Sequence, residues 1–449
     1  ITFAFSAAAI AANFGKERSM IETLKNAFRN KDIRKKIIIT LLLLLLFRVG
    51  CYIPIPGLTR DTFFDAVSGN DFLTLMSGIT GSALANGTLF ALGIGPYINA
   101  SIIMQLLTVG IPALERLSKQ GEEGRKKITN ITRLVTIVLA VIQSVGIIVM
   151  FGQTQDAINT AYFFDSMWVA GIFMTIVYTA GACLVMWIGE RITEYGVGNG
   201  ISMIIFIGIL STAGTSIVNK FIEVGEGQVE ELWNIALFVF LVLVIFFLIV
   251  FVDLAERRIP VQYAKQVRGT KMYGGQSSVI PMKITGSGVM PLIFAYAIVS
   301  FPSMIMSLVP NWSDELDWWN QNFANGTVWY IIVLCILIFV FAFFYAQIQF
   351  NPEDVSRSIQ QNGGFIQGIR PGKPTAEYLS RINKRITLFG AIFLTLVAFV
   401  PSIAFSWAGQ DLVNVFSTTG ILIVVSVALE FDKQLQSQIM MKNYKGFLK

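Results

Sequence analysis

The chain has 449 residues, 54% of them hydrophobic and only 14% charged, with a formal net charge of +6 and no histidine. Soluble proteins carry about 25% charged residues, so this composition excludes an ordinary globular enzyme and indicates a protein that crosses a membrane many times. The missing histidine removes the commonest general base and metal ligand, and with them nucleophile–histidine–acid catalysis within the chain.

Taken in chain order, residues 1–19 begin with an apolar run of 12, ITFAFSAAAIAA. It is too short to cross a bilayer and lacks the basic region that precedes a signal-peptide core. It reads as an extension or fusion segment ahead of a start at Met20. Apolar runs long enough to cross, at about 20 residues each, then lie at 37–54, 87–107, 131–151, 166–188 and 199–219. Five more follow at 231–253, 288–309, 327–350, 386–406 and 411–430. The prediction is an all-α polytopic membrane protein with ten transmembrane helices.

Lys and Arg accumulate in cytoplasmic segments near membrane crossings. Here all 34 except Arg48, Arg60 and Lys220 precede the first span, fall in or at the edge of the connections after even-numbered spans, or lie in the tail. Both termini are therefore expected in the cytoplasm. The opposite connections carry acids, as in Asp314, Glu315 and Asp317, and in Glu223, Glu226, Glu230 and Glu231. Ten spans divide into two fives, residues 20–219 and 220–431, ahead of a cytoplasmic tail at 432–449. An odd number per half makes corresponding spans cross in opposite directions, so the halves are expected to be inverted repeats around a central pore.

Residues 71–87, DFLTLMSGITGSALANG, are external by this topology yet apolar. They predict a short helix that folds back into the protein from outside, burying Phe72, Leu73, Leu75 and Met76 and ending in turns at Gly78, Gly81 and Gly87. Next comes GIGPYI at 93–98, echoed by GVMPLI at 288–293, each in the second span of its half. A Gly and a Pro three residues apart weaken a helix interior, which a membrane helix tolerates where neighbours, water or a cavity satisfy the backbone. Two antiparallel helices able to bend at these sites are expected.

Cys51, Cys183 and Cys335 sit in or beside apolar spans and read as small hydrophobes rather than as a disulfide framework or a metal site. The connections at 254–287 and 351–385 are both basic. The first has apolar stretches on either side of Gly269 and of Gly274-Gly275 and reads as extended ribbon; the second predicts a short helix from NPEDV and a rigid exposed turn, GIRPGKP, with Arg370 at its tip. No Walker A motif is present, since GKPT at 372–375 has Pro where Ser or Thr is needed, so energy for any transport must come from outside the chain.

Several of these segments occur together in one order: GIGPYINASIIMQLL, GVGNGISMIIF, RRIPVQYAKQV with MYGGQSS, GVMPLIFA, and FNPEDV with GGFIQGIRPGKPT. From about Met20 to the C-terminus the chain resembles the SecY/Sec61-alpha family, the channel subunit of the Sec protein translocon, and its GIRPG loop resembles the bacterial form. The resemblance implies a channel in the bacterial plasma membrane that passes unfolded preproteins outward and releases apolar helices laterally into lipid. It implies a pore ring at Ile94, Ile98, Ile201, Ile205, Ile293 and Ile423. It also implies a plug at about 71–84 that includes Phe72, Leu73, Leu75, Met76, Gly78 and Gly81.

The second and seventh spans would form a lateral gate, with Gly93, Pro96, Gln105, Gln143, Gly288 and Pro291 along it. Arg257, Arg258, Arg268, Lys271 and Arg370 would dock the SecA ATPase or the ribosome. Further implied partners are SecE, usually SecG, and signal peptides; no cofactor, metal or catalytic residue is implied. The physics of the ring is consistent with such a task, because a narrow apolar constriction dewets and blocks ions without gripping a chain, and stiff β-branched side chains define its width. The alternative, a secondary solute transporter with inverted repeats, calls for ionisable residues near mid-membrane. The spans hold only Arg48 well inside an edge.

Overall fold

A computed structural model of the chain describes residues 27–58, 64, 67, 77–78, 80–152, 158, 163, 166–225, 231–263, 266–268, 271–273, 277–284, 290–292, 294–295, 298–299, 302, 318–319, 322–323, 327–408 and 418–446. The first helix, α1 (Lys31–Gly50), starts where the Asn30 side chain accepts a hydrogen bond from the Asp32 amide at 3.3 Å, satisfying one of the orphan donors of the first turn. Ile33, Ile37, Leu44 and Phe47 form its buried stripe at helical spacing, while Leu41, Leu42, Leu45 and Leu46 are exposed on the other side. An exposed leucine face is what a helix shows to lipid.

The chain continues through α2 (Gly95–Gly110), α3 (Pro112–Ser118), α4 (Glu122–Gly152), α5 (Met167–Tyr195), α6 (Gly200–Gly225) and α7 (Glu231–Asp253). After the strands come α8 (Val328–Gln349), α9 (Pro352–Gln361), α10 (Lys373–Ala408) and α11 (Thr418–Gly446). Among the described residues, helices stand at nine of the ten expected crossings. The remaining one, residues 288–309, is described only at 290–292, 294–295, 298–299 and 302, all helical.

Two expectations about these helices need correction. The run at 87–107 is helical only from Gly95, and residues 80–94 are turns and a bridge. Pro96 therefore stands in the first turn of α2, where its missing N–H would be unpaired anyway, and Gly93 precedes it at φ +52°. The Gly–Pro pair makes an entry to the helix, not a bend in its interior. Second, helices overrun their apolar cores: α4 starts at Glu122 rather than 131, α10 at Lys373 rather than 386, and α11 runs through the tail boundary to Gly446. Hydropathy marks only the lipid-facing length, and charged helix continues beyond it. At the far end of α2, Ile111 is extended before Pro112, and α3 leaves at 104° to α2.

The two basic connections fold as one extramembrane unit. Strand β1 (Glu256–Tyr263) pairs antiparallel with β4 (Ser277–Lys283), with Ile259 opposite Ile280, and a small hairpin of β2 (Gln266–Arg268) and β3 (Lys271–Tyr273) lies between them in sequence. On its other edge β1 pairs with β5 (Gly364–Phe365), giving the order β4-β1-β5. Ile259, Val261 and Met282 of the sheet are buried with Ile359 of α9 and Leu379 and Ile382 of α10. The predicted ribbon and the predicted helix at NPEDV are both present, and α9 is capped by Asn351, whose side chain accepts from the Glu353 amide at 3.1 Å.

Candidate functional site

The site is an apolar cluster where helices from both ends of the chain converge. Ile94 caps α2 and Ile98 follows one turn later; Ile201 and Ile205 lie on the first two turns of α6; Ile423 lies on α11. Spacing of four places each pair on one face of its helix. All five belong to one cluster, with Ile94, Ile205 and Ile423 buried and Ile98 and Ile201 half-buried. Ile293 lies outside the described residues.

A second cluster adjoins the first through Ile98, which packs against both. It brings Ile102 and Leu106 of α2 together with Met290, Leu292, Phe294, Ala295 and Val299 of the seventh span. The face of α2 at 98, 102 and 106 and the seventh span therefore share an apolar seam. Pro291 is buried and helical within that span, and Gly288 lies outside the described residues. On α2, Gln105 is half-buried, and its amide donates to the Ser101 hydroxyl at 3.4 Å while its buried Oε1 has no partner among the described residues. Gln143 is half-buried on α4, which packs against α2 and α5.

Phe72, Leu73, Leu75 and Met76 lie outside the described residues. Beyond them come a helical turn at Ser77-Gly78 and a chain of turns to 94, with Gly81 at φ +69° and Gly87 at φ +59°. The Ser82 amide donates to the Ser77 carbonyl at 2.8 Å, and Ala83, Leu84 and Ala85 are buried. Bonds tie this segment to helices: the Thr212 hydroxyl of α6 donates to the Gly78 carbonyl at 3.1 Å, and Arg48 Nη1 of α1 donates to the Gly81 carbonyl at 3.0 Å. Ser211 and Thr212 stand nearly two turns beyond Ile205, about 10 Å along α6. The glycine-rich segment thus packs on the side of the isoleucine cluster toward which α6 runs.

At the extramembrane unit, Arg257 and Arg258 are exposed, and Arg258 Nε donates to Glu256 Oε1 at 2.7 Å. Arg268 and Lys271 are register partners at the β2–β3 turn. The Arg370 side chain is exposed in a turn whose backbone is pinned twice: the Thr375 hydroxyl donates to the Arg370 carbonyl at 2.8 Å, and the Ser356 hydroxyl to the Gly372 carbonyl at 2.7 Å. Beside it an open groove of ≈ 850 Å³ runs between α9 and α10, lined by Arg357, Lys373, Arg381 and Lys384 as well as Glu353 and Glu377. Among the described residues no cluster of Cys, Asp or Glu is placed to hold a metal. The contact of Arg48 with the glycine-rich segment had one visible signal in the sequence, a cation well inside an apolar span.

A bundle of apolar helices that meets in a shared apolar cluster, with a glycine-rich turn segment packed on one side and a basic sheet unit at one end, fits a polytopic membrane channel. The SecY family model matches residues 88–431. The protein translocase subunit SecY of Streptomyces galbus is 42% identical over 443 residues, covering 96% of this chain and all of that one. The SecY of Corynebacterium glutamicum is 40% identical, covering 94% and 99%. Among solved structures, a protein-conducting channel superposes with a TM-score of 0.63 at 19% identity, over 90% of this chain and 92% of that one. Sec61 of the canine ribosome–channel complex from the endoplasmic reticulum gives 0.59 at 17% identity, over 90% and 92%. The chain belongs to the SecY family.

Proposed function

We propose that this chain is the protein-conducting subunit of a translocon, with the isoleucine cluster as its constriction and residues 71–84 as its plug. The observation that carries the reading is the meeting of Ile94, Ile98, Ile201, Ile205 and Ile423, drawn from three helices far apart in sequence, in one apolar cluster. Unfolded polypeptide passes such a ring because dispersion and apolar contact hold no particular side chain, while water and ions meet a dewetted neck. The seam shared by α2 and the seventh span is the lateral gate, and it too is apolar, so apolar helices leave through it into lipid without a polar barrier. Because Gly93 and Pro96 stand at the entry to α2, the gate opens by swinging α2 as a rod about residues 93–96 rather than by kinking it.

The channel sits in the bacterial plasma membrane with both termini cytoplasmic. SecE and SecG are its small membrane partners, and SecA or the ribosome docks on the sheet unit through Arg257, Arg258, Arg268, Lys271 and Arg370, with signal peptides and unfolded preproteins as cargo. Polyanionic ribosomal RNA would bind there with strong salt dependence, whereas a protein motor would use the exposed Arg370 and the groove of mixed charge beside it. A solute transporter is disfavoured by Arg48 being the one ionisable residue well inside a span.

The test is ion conductance in planar bilayers. Replacing Ile94, Ile205 and Ile423 together by Ser puts three hydroxyls into the neck and should raise resting conductance severalfold. Conductance equal to the parent would overturn the ring assignment.

A further inference from the structure

We propose that Arg48 is the latch that positions the glycine-rich segment in the closed channel, an inference that rests on reading that segment as the plug. Arg48 lies in the last turn of α1, half-buried, and its guanidinium fork reaches three groups. Nη1 donates to the Gly81 carbonyl at 3.0 Å, and Nη2 donates to the Ser211 hydroxyl of α6 and to the Tyr52 hydroxyl at 3.2 Å. The fork also lies over the Tyr52 ring, 5.1 Å from its centroid. Among the described residues no carboxylate pairs with it. One cation therefore joins α1, α6 and the segment between them.

A guanidinium within an apolar span is costly unless its donors are used, and here the acceptors come from the segment and from α6. The bond to Gly81 also depends on that residue being glycine. At φ +69° the carbonyl turns toward Arg48, and an added Cβ would collide with the Arg48 guanidinium and press on the Gly208 backbone. Bonds from a charged donor to a neutral carbonyl are strong enough to hold the segment at rest yet involve no buried ion pair that an entering chain must break. Lysine would keep the charge but not the planar fork that spans two acceptors at once.

The experiment measures how often the segment leaves its seat. Gly78→Cys supplies a probe whose Cβ meets nothing within 4 Å among the described residues, in a chain carrying Cys183→Ala and Cys335→Ala; labelling of buried Cys51 is subtracted using the same chain with Gly78 intact. The purified membrane complex in proteoliposomes is treated at rest with a membrane-impermeant maleimide. Arg48→Met should speed labelling of position 78 about tenfold, the loss expected for one charge-assisted hydrogen bond, with Arg48→Lys and Ser211→Ala giving smaller increases. Labelling at the parent rate in Arg48→Met overturns the latch. Should Arg48→Met fail to fold, parent rates in both Arg48→Lys and Ser211→Ala overturn it instead. The plug reading is tested separately by deleting 71–84: unchanged resting conductance would overturn that reading whatever the labelling rates show.

Discussion

Glycine at position 181 illustrates what single residues decide in this fold. It lies on the buried face of α5, and a Cβ there would collide with the Leu89 carbonyl, so α5 can lie flush on the turn segment only if residue 181 has no side chain. Gly181→Ala should lower stability by about 1–3 kcal/mol through overpacking, read as a drop in the detergent-solubilised melting temperature. Gly110→Ala, whose Cβ meets nothing within 4 Å among the described residues, should leave it unchanged. The isoleucines of the cluster were singled out in the sequence only through family resemblance, because an isoleucine in an apolar span faces lipid, core or pore with no local mark to tell them apart. The distant partners of Arg48 were not legible: Gly81 and Ser211 lie 33 and 163 residues away, and nothing in hydropathy reports a contact across such distances.

At the scale of elements, turn and strand chemistry was more legible than helix limits. The ribbon at 254–287 and the capped helix at NPEDV follow from local glycines, β-branched residues and an Asn-Pro start, and both form. Their joining was hidden, since the pairing of Gln262 with Phe365 and the shared core of Ile259, Ile359 and Leu379 are long-range. Helix ends were misplaced because charged turns of α4, α10 and α11 pack outside the apolar stretch that hydropathy detects. Among the described residues, the turn carrying Arg370 is held through its backbone, by Thr375 and Ser356, and not through its guanidinium. Arg370→Glu should therefore leave the melting temperature within a degree or so of the parent while lowering SecA-dependent preprotein transport severalfold. Normal transport at limiting SecA would show that the arginine is not part of the docking surface.

For the whole molecule, the paired Gly–Pro motifs pointed to two related halves, and the structure places the described copy at the mouth of α2 and beside the isoleucine cluster. On the proposed reading that position joins the seal and the gate in one element: a swing of α2 from its entry would move Ile94 and Ile98 out of the isoleucine cluster while parting Ile102 and Leu106 from the seventh span. Sealing and lateral opening would then be coupled, with a chain in the pore opening the way to lipid. The most direct test of the central claim is reconstitution of the purified membrane complex into proteoliposomes with SecA, ATP and a radiolabelled preprotein. The expected result is ATP-dependent movement of the preprotein to a protease-protected lumen, with no saturable uptake of a small solute. Saturable uptake of one solute, with the preprotein left fully digested, would contradict it.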